Sequence, residues 1–428
     1  MRRAALPALL LLVAGWALTL WVAPWSDERV NDLFVYRTFA EPVLGGELPY
    51  RDIAFEYPPL AAPAIALPGV AGTGEETFRW AFALWTLGAA AAVVLLCGAV
   101  ARAGGGDPRT VRRAMLAAAL MPLVCGALLR THFDLFPVAL LLAGLLLLSR
   151  ERPRAGLAVL GLGAMTKLFP IVAVPVALAW LLGRGRRRAA LQGALACAAV
   201  VAVIGGAAVA AVPDGALDAV RYHLDRPVQI ESSPALVLLG LDAAGAGEAK
   251  SVSSHRSDGL VHPAADAVTS LFLTALVALV TLLCVGAAGG RQVREPAGGR
   301  QVREAAAANR GARPLVIASL AACAGFAMFG KVLSPQFVIW VLPLGALAFA
   351  WRMHALAAAV ALAALLTQVE FPSHYFDVVA REPLAIGLVA LRNLALGAVV
   401  ALSVRELQPR RQQDLLHGRR PALAVRLD

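Results

Sequence analysis

The chain has 428 residues, 59% of them hydrophobic and only 16% charged, with a mean hydropathy of +0.70. A soluble domain carries nearer a quarter charged residues, so a water-soluble fold is excluded. The formal net charge of +11 would suit nucleic acid. The arginines, however, lie in short loops between apolar runs, where basic residues mark the cytoplasmic side of a membrane protein, and no nucleic-acid partner is expected.

Met1-Arg2-Arg3 followed by Ala4 to Pro24 has the outline of a signal peptide. Its apolar part runs to about twenty residues and lacks a small-x-small cleavage site, which predicts an uncleaved first helix. Further spans are predicted near 78–101, 114–129, 135–149, 189–212, 264–288, 355–369 and 384–404. Residues 155–182 as one helix would be about 42 Å long, too long for a core of roughly 30 Å without tilt. Both ends are basic, with Arg150, Arg152 and Arg154 before and Arg184, Arg186, Arg187 and Arg188 after. A hairpin turning at Thr166-Lys167-Leu168-Phe169-Pro170 keeps both clusters on one side. Residues 314–351 repeat this logic around Gly330-Lys331-Val332-Leu333-Ser334-Pro335-Gln336, with arms short enough to need cover from neighbouring helices.

The predicted fold class is an all-α polytopic membrane protein. It has about twelve transmembrane or short membrane-embedded helices, both termini in the cytoplasm and one transmembrane domain over 1–404. On this topology the cytoplasmic segments hold two thirds of the 39 Lys and Arg but only a quarter of the 28 acids. Two long outer loops result, 25–77 and 213–263. A basic cytoplasmic linker, 289–313, contains a tandem repeat, Gly289 to Ala297 followed by 298–306, which is read as a duplicated linker. The basic tail, 405–428, is expected on anionic headgroups of the bilayer. The five cysteines (Cys97, Cys125, Cys197, Cys284, Cys323) sit inside apolar runs without CxxC spacing and read as small core residues.

The first outer loop gathers polar chemistry that a greasy chain has little reason to keep: Asp27-Glu28-Arg29-Val30-Asn31-Asp32, then Tyr36, Gly46, Pro49-Tyr50 and Glu56-Tyr57-Pro58-Pro59. Asn31 or Asp32 suits the N-cap of a short helix through about Leu44, which puts Asp32 and Tyr36 on one face at i, i+4. Leu33, Phe34, Val35 and Phe39 would press that helix into the interface. Asp32 is then either a cap or a catalytic base. Arg130, Lys167 and Lys331 stand at one predicted membrane level and form a cradle for a lipid phosphate or, taken singly, merely snorkel. The stretch Tyr222-His223-Leu224-Asp225-Arg226-Pro227-Val228-Gln229-Ile230-Glu231-Ser232-Ser233 binds a sugar or headgroup, or is an ordinary solvated loop. His255, His262 and His374 lack metal-ligand spacing, and no dinucleotide, Walker or nucleophile-elbow pattern is present. No cofactor is indicated, and a divalent-metal requirement is left open.

The ordered set Asp32-x-x-x-Tyr36, Gly46-x-x-Pro49-Tyr50, Tyr57-Pro58-Pro59, Arg130-x-x-x-Asp134, Thr166-Lys167-x-x-Pro170, Arg226-x-x-Gln229-x-Glu231-Ser232 and Lys331-x-x-Ser334-Pro335-Gln336 with Trp340 resembles the actinobacterial polyprenyl-phosphomannose-dependent alpha-mannosyltransferases. These are glycosyltransferase family 87, within the GT-C superfamily. The resemblance covers about residues 25–400. It implies transfer of mannose, or another hexose, from a polyprenyl-phosphate donor to a glycolipid or envelope-glycan acceptor on the outer face of the plasma membrane. It also implies Asp32 as base; beside it, Arg130, Lys167 and Lys331 are assigned to the donor phosphate, and Tyr36, Tyr57, Asp134, Arg226, Gln229, Glu231 and Gln336 to substrate binding. No second carboxylate stands immediately beside Asp32, although Asp27 and Glu28 are near in sequence. The rival readings are a lipid or solute carrier built on the broken helices and a non-catalytic envelope-assembly protein.

Overall fold

The computed structural model describes residues 2–289 and 311–408. Helix α1 (Arg2–Trp21) leads into a long loop that contains α2 (Leu33–Leu44), α3 (Ala61–Ala66) and a 3-10 turn, Leu67–Ala71. Then come α4 (Glu75–Ala103), α5 (Pro108–Ala119), α6 (Met121–Cys125), α7 (Leu128–Thr131), α8 (Leu135–Ser149), α9 (Pro153–Thr166), α10 (Ala173–Gly183) and α11 (Arg187–Ala211). A second long segment holds α12 (Pro213–Asp225), β1 (Val228–Gln229), α13 (Ser233–Ala243), β2 (Lys250–Ser254) and β3 (Ser257–Val261). The chain continues with α14 (Ala265–Ala288), α15 (Arg313–Phe329), α16 (Val338–Ala350), α17 (His354–Glu370), α18 (Tyr375–Val379) and α19 (Pro383–Leu407).

Among the described residues five helices, α1, α4, α11, α14 and α19, are long and apolar enough to cross a bilayer. The shorter apolar helices pack between them. Helices α15 and α16 are apolar on every face and buried along almost their whole length, as befits helices at the centre of a bundle. By contrast α11 and α14 bury few of their residues within the chain. The fold is therefore the expected all-α polytopic membrane architecture. It carries one small antiparallel sheet, ordered β1-β3-β2, which the sequence did not suggest because its strands are only two to five residues long.

Two predicted elements are corrected. The span expected over 114–129 is not one helix: α5 ends at Ala119, Pro122 follows, and Gly126 adopts a φ of +53°. A Cβ at Gly126 would lie 2.4 Å from Gln368 Oε1, so the turn there requires glycine. The break at Thr166–Lys167 falls where predicted, but its arms do not close as a hairpin. Helix α9 packs mainly on α8 and α11, whereas α10 packs on α14 and α15. Residues 290–310, with most of the tandem repeat, and the tail beyond Gln408 lie outside the described residues.

Helices α8 and α9 approach through glycine. A Cβ on Gly144 would meet Gly156 O at 3.0 Å, and one on Gly156 would meet Gly144 O at 2.9 Å. Small residues at such contacts let membrane helices pack closely where no hydrophobic drive separates protein from lipid.

A buried ionic knot ties the second long segment to the bundle. The Arg392 guanidinium, fully buried on α19, lies 3.3 Å from Glu231 Oε1 and 3.3 Å from Glu370 Oε2, and donates to Glu231 O at 2.6 Å. Gln229 Nε2 donates to Glu231 Oε2 (3.0 Å) and Ser334 Oγ to Gln229 Oε1 (3.2 Å). Burial first, then the charge of Glu370, push the Glu231 carboxyl well above the usual range, against the pull of Arg392. Removing one member of such a knot strands the others in low dielectric. Arg392→Leu is expected to cost about 3–5 kcal/mol, while a Glu231→Gln/Glu370→Gln/Arg392→Met variant recovers most of that loss. Thermal unfolding in detergent checks the ordering of the two.

Candidate functional site

The site is built on the start of α2. Asn31 Oδ1 accepts the Leu33 N–H at 2.9 Å, and its Nδ2 donates to Glu28 O at 2.5 Å. Asp32 occupies the N-cap position, yet its side chain makes no capping hydrogen bond. Asn31 therefore takes the capping bond, and the Asp32 carboxylate is not used as a cap. Its carboxylate is one-third exposed, with Oδ2 accepting the Tyr36 hydroxyl at 3.1 Å and lying 3.5 Å from His132 Nε2. His132 Nδ1 is 3.1 Å from Leu128 O. Thr131 Oγ1 lies 3.0 Å from the same nitrogen, and the two contacts hold the imidazole beside Asp32. Burial first, then the charge of Asp32, hold the Tyr36 phenol well above its ordinary value, so it donates to Asp32 as a neutral hydroxyl.

Aromatic rings form the floor. The Tyr36 ring stacks on Phe82 at 5.3 Å and meets Phe133 edge-on at 5.6 Å, while Tyr57 meets Phe133 at 5.2 Å. Leu33 and Phe39 of α2 face this cluster rather than lipid, whereas Phe34 points outward. Lys167 stands beside the floor. Its Nζ is 2.8 Å from both carboxylate oxygens of Asp134 and 4.8 Å from the centre of the Phe133 ring. Trp340 Nε1 donates to Asp134 Oδ1 at 2.6 Å, and Asp134 is fully buried. Asp134 therefore positions Lys167 instead of meeting solvent.

The second long segment makes the roof. Gly215 of α12 sits so close to the first loop that a Cβ would fall 1.8 Å from Tyr50 O. This seats α12 where His223 Nε2 donates to Glu56 O at 2.8 Å. Arg256 Nη1 reaches Glu56 Oε2 at 3.2 Å, and Arg226 Nε donates to Ser257 Oγ at 3.2 Å. Burial raises the Glu56 carboxyl above the usual range, Arg256 and Arg226 oppose the rise, and the charge of Asp32 adds to it. Asp32 and Glu56 thus share one electrostatic neighbourhood, with Tyr57 and Tyr222 within reach of both charges.

The predicted residues divide accordingly. Asp32, Tyr36, Tyr57, Lys167 with Asp134, and Arg226 come together. Arg130 does not join them as a phosphate ligand: it is buried, bonded to Thr19 O at 2.9 Å and Ser26 O at 3.3 Å, and paired with Glu28. Gln229 and Glu231 belong to the buried knot on Arg392. Gln336 lies half-buried in the 3-10 turn Pro335–Phe337. Lys331 donates to Leu224 O at 2.6 Å at the end of α12, and burial lowers its pKa. Asp27 pairs with Arg29 and Glu28 with Arg79 and Arg130, so neither supplies a second carboxylate. Three members of the site went unassigned in the sequence: His132, Glu56 and Arg256. For His132 the signal was its place midway between Arg130 and Asp134 in an extended link, and for Glu56 its place beside Tyr57. For Arg256 there was none. Among the described residues no cluster of three or more His, Cys, Asp or Glu side chains is arranged to hold a metal.

The described elements form a helical membrane bundle whose partly exposed Asp32 carboxylate shares its surroundings with Glu56, Arg226 and Arg256. The model of glycosyltransferase family 87 matches residues 55–308, more than half of the chain, and the protein belongs to that family. The match takes in Glu56, Tyr57, His132, Asp134, Lys167, Arg226 and Arg256, while Asp32 lies just before it. None of the curated proteins compared matches the chain. Among solved structures it is similar to the oligosaccharyltransferase of Archaeoglobus fulgidus, crystallised tethered to an acceptor peptide, at 13% identity and a TM-score of 0.43. That similarity covers 96% of this chain and 56% of the other, so the chain spans a little over half the length of that enzyme.

Tyr36→Phe tests the positioning of Asp32. It keeps the packed ring and removes one hydrogen bond to a charged group, worth about 1.5–3 kcal/mol. Turnover is expected to fall at least about tenfold with little change in melting temperature. An unchanged rate would show that Tyr36 does not orient the carboxylate.

Proposed function

We propose that this glycosyltransferase moves a hexose, mannose by its resemblance, from a polyprenyl-phosphate sugar to a glycolipid or envelope glycan on the outer face of the plasma membrane. The observation that carries the reading is the Asp32 carboxylate: free of capping, partly exposed, and oriented by Tyr36 and His132. In this scheme Asp32 accepts the proton of the acceptor hydroxyl as that oxygen attacks the anomeric carbon. The bond from that carbon to the phosphate oxygen breaks in the same inverting step. The leaving phosphate is already ionised at neutral pH, so no general acid is required. Positive charge near the departing oxygens lowers the barrier by stabilising the charge that develops there. Lys167 supplies less of it than its sequence position promised, because Asp134 neutralises it. The cations of the second long segment supply more.

In this scheme the lipid chain of the donor reaches the site from the bilayer. The Asp32 carboxylate accepts from Tyr36 and Glu56 pairs with Arg256, and these pairings favour a reaction without a divalent ion. Treatment of the purified enzyme with EDTA should leave the rate unchanged, and a loss restored by Mg²⁺ or Mn²⁺ would contradict that reading.

The direct test is transfer of radiolabelled mannose from polyprenyl-phosphate mannose to membrane lipids by wild type and Asp32→Asn. One general base is worth about 10²–10⁴-fold. The variant should lose that factor while still binding donor. Near-normal transfer by Asp32→Asn would remove it from the mechanism.

A further inference from the structure

The turn between β2 and β3 has two residues, His255 and Arg256, with Ser254 paired to Ser257 across it. Their φ angles are +51° and +53°. A two-residue hairpin turn with both central residues left-handed strongly favours Asn-Gly, and a bulky side chain there is an outlier. Strained backbone of this kind persists where the surroundings over-determine it, and it clusters at functional positions. Here the surroundings are the site. Arg256 lies with its guanidinium 4.8 Å from the centre of the Phe39 ring and its Nη1 3.2 Å from Glu56 Oε2. The His255 ring is 4.8 Å from Tyr222. The residue after the turn, Ser257, accepts from Arg226, and Asp258 Oδ2 accepts the Tyr375 hydroxyl at 2.7 Å, anchoring the hairpin to α18. The two terminal nitrogens of Arg226 have no hydrogen-bond partner among the described residues.

We propose that the hairpin tip is the anion-binding device of this enzyme: Arg256 and Arg226 together take the phosphate of the lipid-linked donor, and Glu56 holds Arg256 in place until that phosphate displaces it. The proposal rests on the donor class given above. Two planar guanidiniums at one turn, Arg256 within it and Arg226 bonded to Ser257 just after it, suit a phosphate through paired N–H donors, and a carboxylate is the natural stand-in for such an anion. The residues of the turn are then chosen for their side chains at the expense of the backbone. A merely structural hairpin would prefer the opposite choice.

The test uses the full-length enzyme in nanodiscs and farnesyl phosphate as the probe, read by isothermal titration, so that no sugar transfer is needed. The His255→Asn/Arg256→Gly variant installs the preferred turn. Its melting temperature should rise while its affinity for farnesyl phosphate falls about tenfold or more. Arg226→Gln should lose a similar factor, and Glu56→Gln, by releasing Arg256, should bind the probe several-fold more tightly than wild type. If the Asn-Gly variant binds the probe as well as wild type does, the tip is not the phosphate site, although the donor class stands. A lower melting temperature with unchanged binding would make the Arg256–Glu56 pair a structural clasp and overturn the proposal. No binding of farnesyl phosphate by wild type overturns both the proposal and the donor class.

Discussion

Arg130 is the contact on which the site depends, and it is spent on protein groups. Its buried guanidinium collects Thr19 O from the end of α1, Ser26 O, and the carboxylate of Glu28. The end of α1 and two points of the first loop are thereby fixed to the short helix α7. With Glu28 held, its carbonyl is placed to accept from Asn31, and Asn31 in turn caps α2. Asp32 is released from that duty. A charged donor buried against carbonyls is costly to leave unsatisfied, so the loop has little freedom to rearrange. From α7 the chain runs through His132 to Asp134, which places one residue against Asp32 and the next polar one under Lys167.

Among the described residues, the charges in and beneath the site include three closed systems and one open one. Arg130 with Glu28, Lys167 with Asp134 and Trp340, and Arg392 with Glu231 and Glu370 are buried and satisfied mainly by protein groups. These pin loops to helices in a medium where stray charge is expensive. The open system is the set around Asp32, Glu56, Arg226 and Arg256, where solvent reaches the groups and Arg226 keeps donors to spare. Chemistry needs that openness. An aromatic and aliphatic cluster that includes Tyr36, Phe39, Phe55, Phe78, Phe82 and Phe133 packs beneath the polar loop.

The membrane architecture was legible in the sequence because hydropathy and arginine placement act locally. So was the pairing of Asp32 with Tyr36, since i, i+4 spacing on a helix dictates it. What the sequence could not separate was cations by use. Arg130, Lys167 and Lys331 look alike as basic residues near helix ends, yet one is saturated by carbonyls, one is neutralised by Asp134 and one caps α12. Those distinctions depend on contacts 33 to 111 residues away along the chain. The β2–β3 hairpin escaped for a different reason. Its turn residues are ones that turn propensity argues against, so Arg256 gave no signal until the fold set it over Glu56. The broken segment at 114–129 was missed because Gly126 reads as a tolerable helix residue until Gln368 is seen beside it.

The central claim is that one carboxylate, Asp32, drives a single displacement at the anomeric carbon. The most direct measurement is the anomeric configuration of the glycosidic bond formed by purified enzyme from a donor of known configuration, read by the one-bond C1–H1 coupling in NMR. The account predicts inversion. Retention would require a second displacement through another nucleophile and would contradict it.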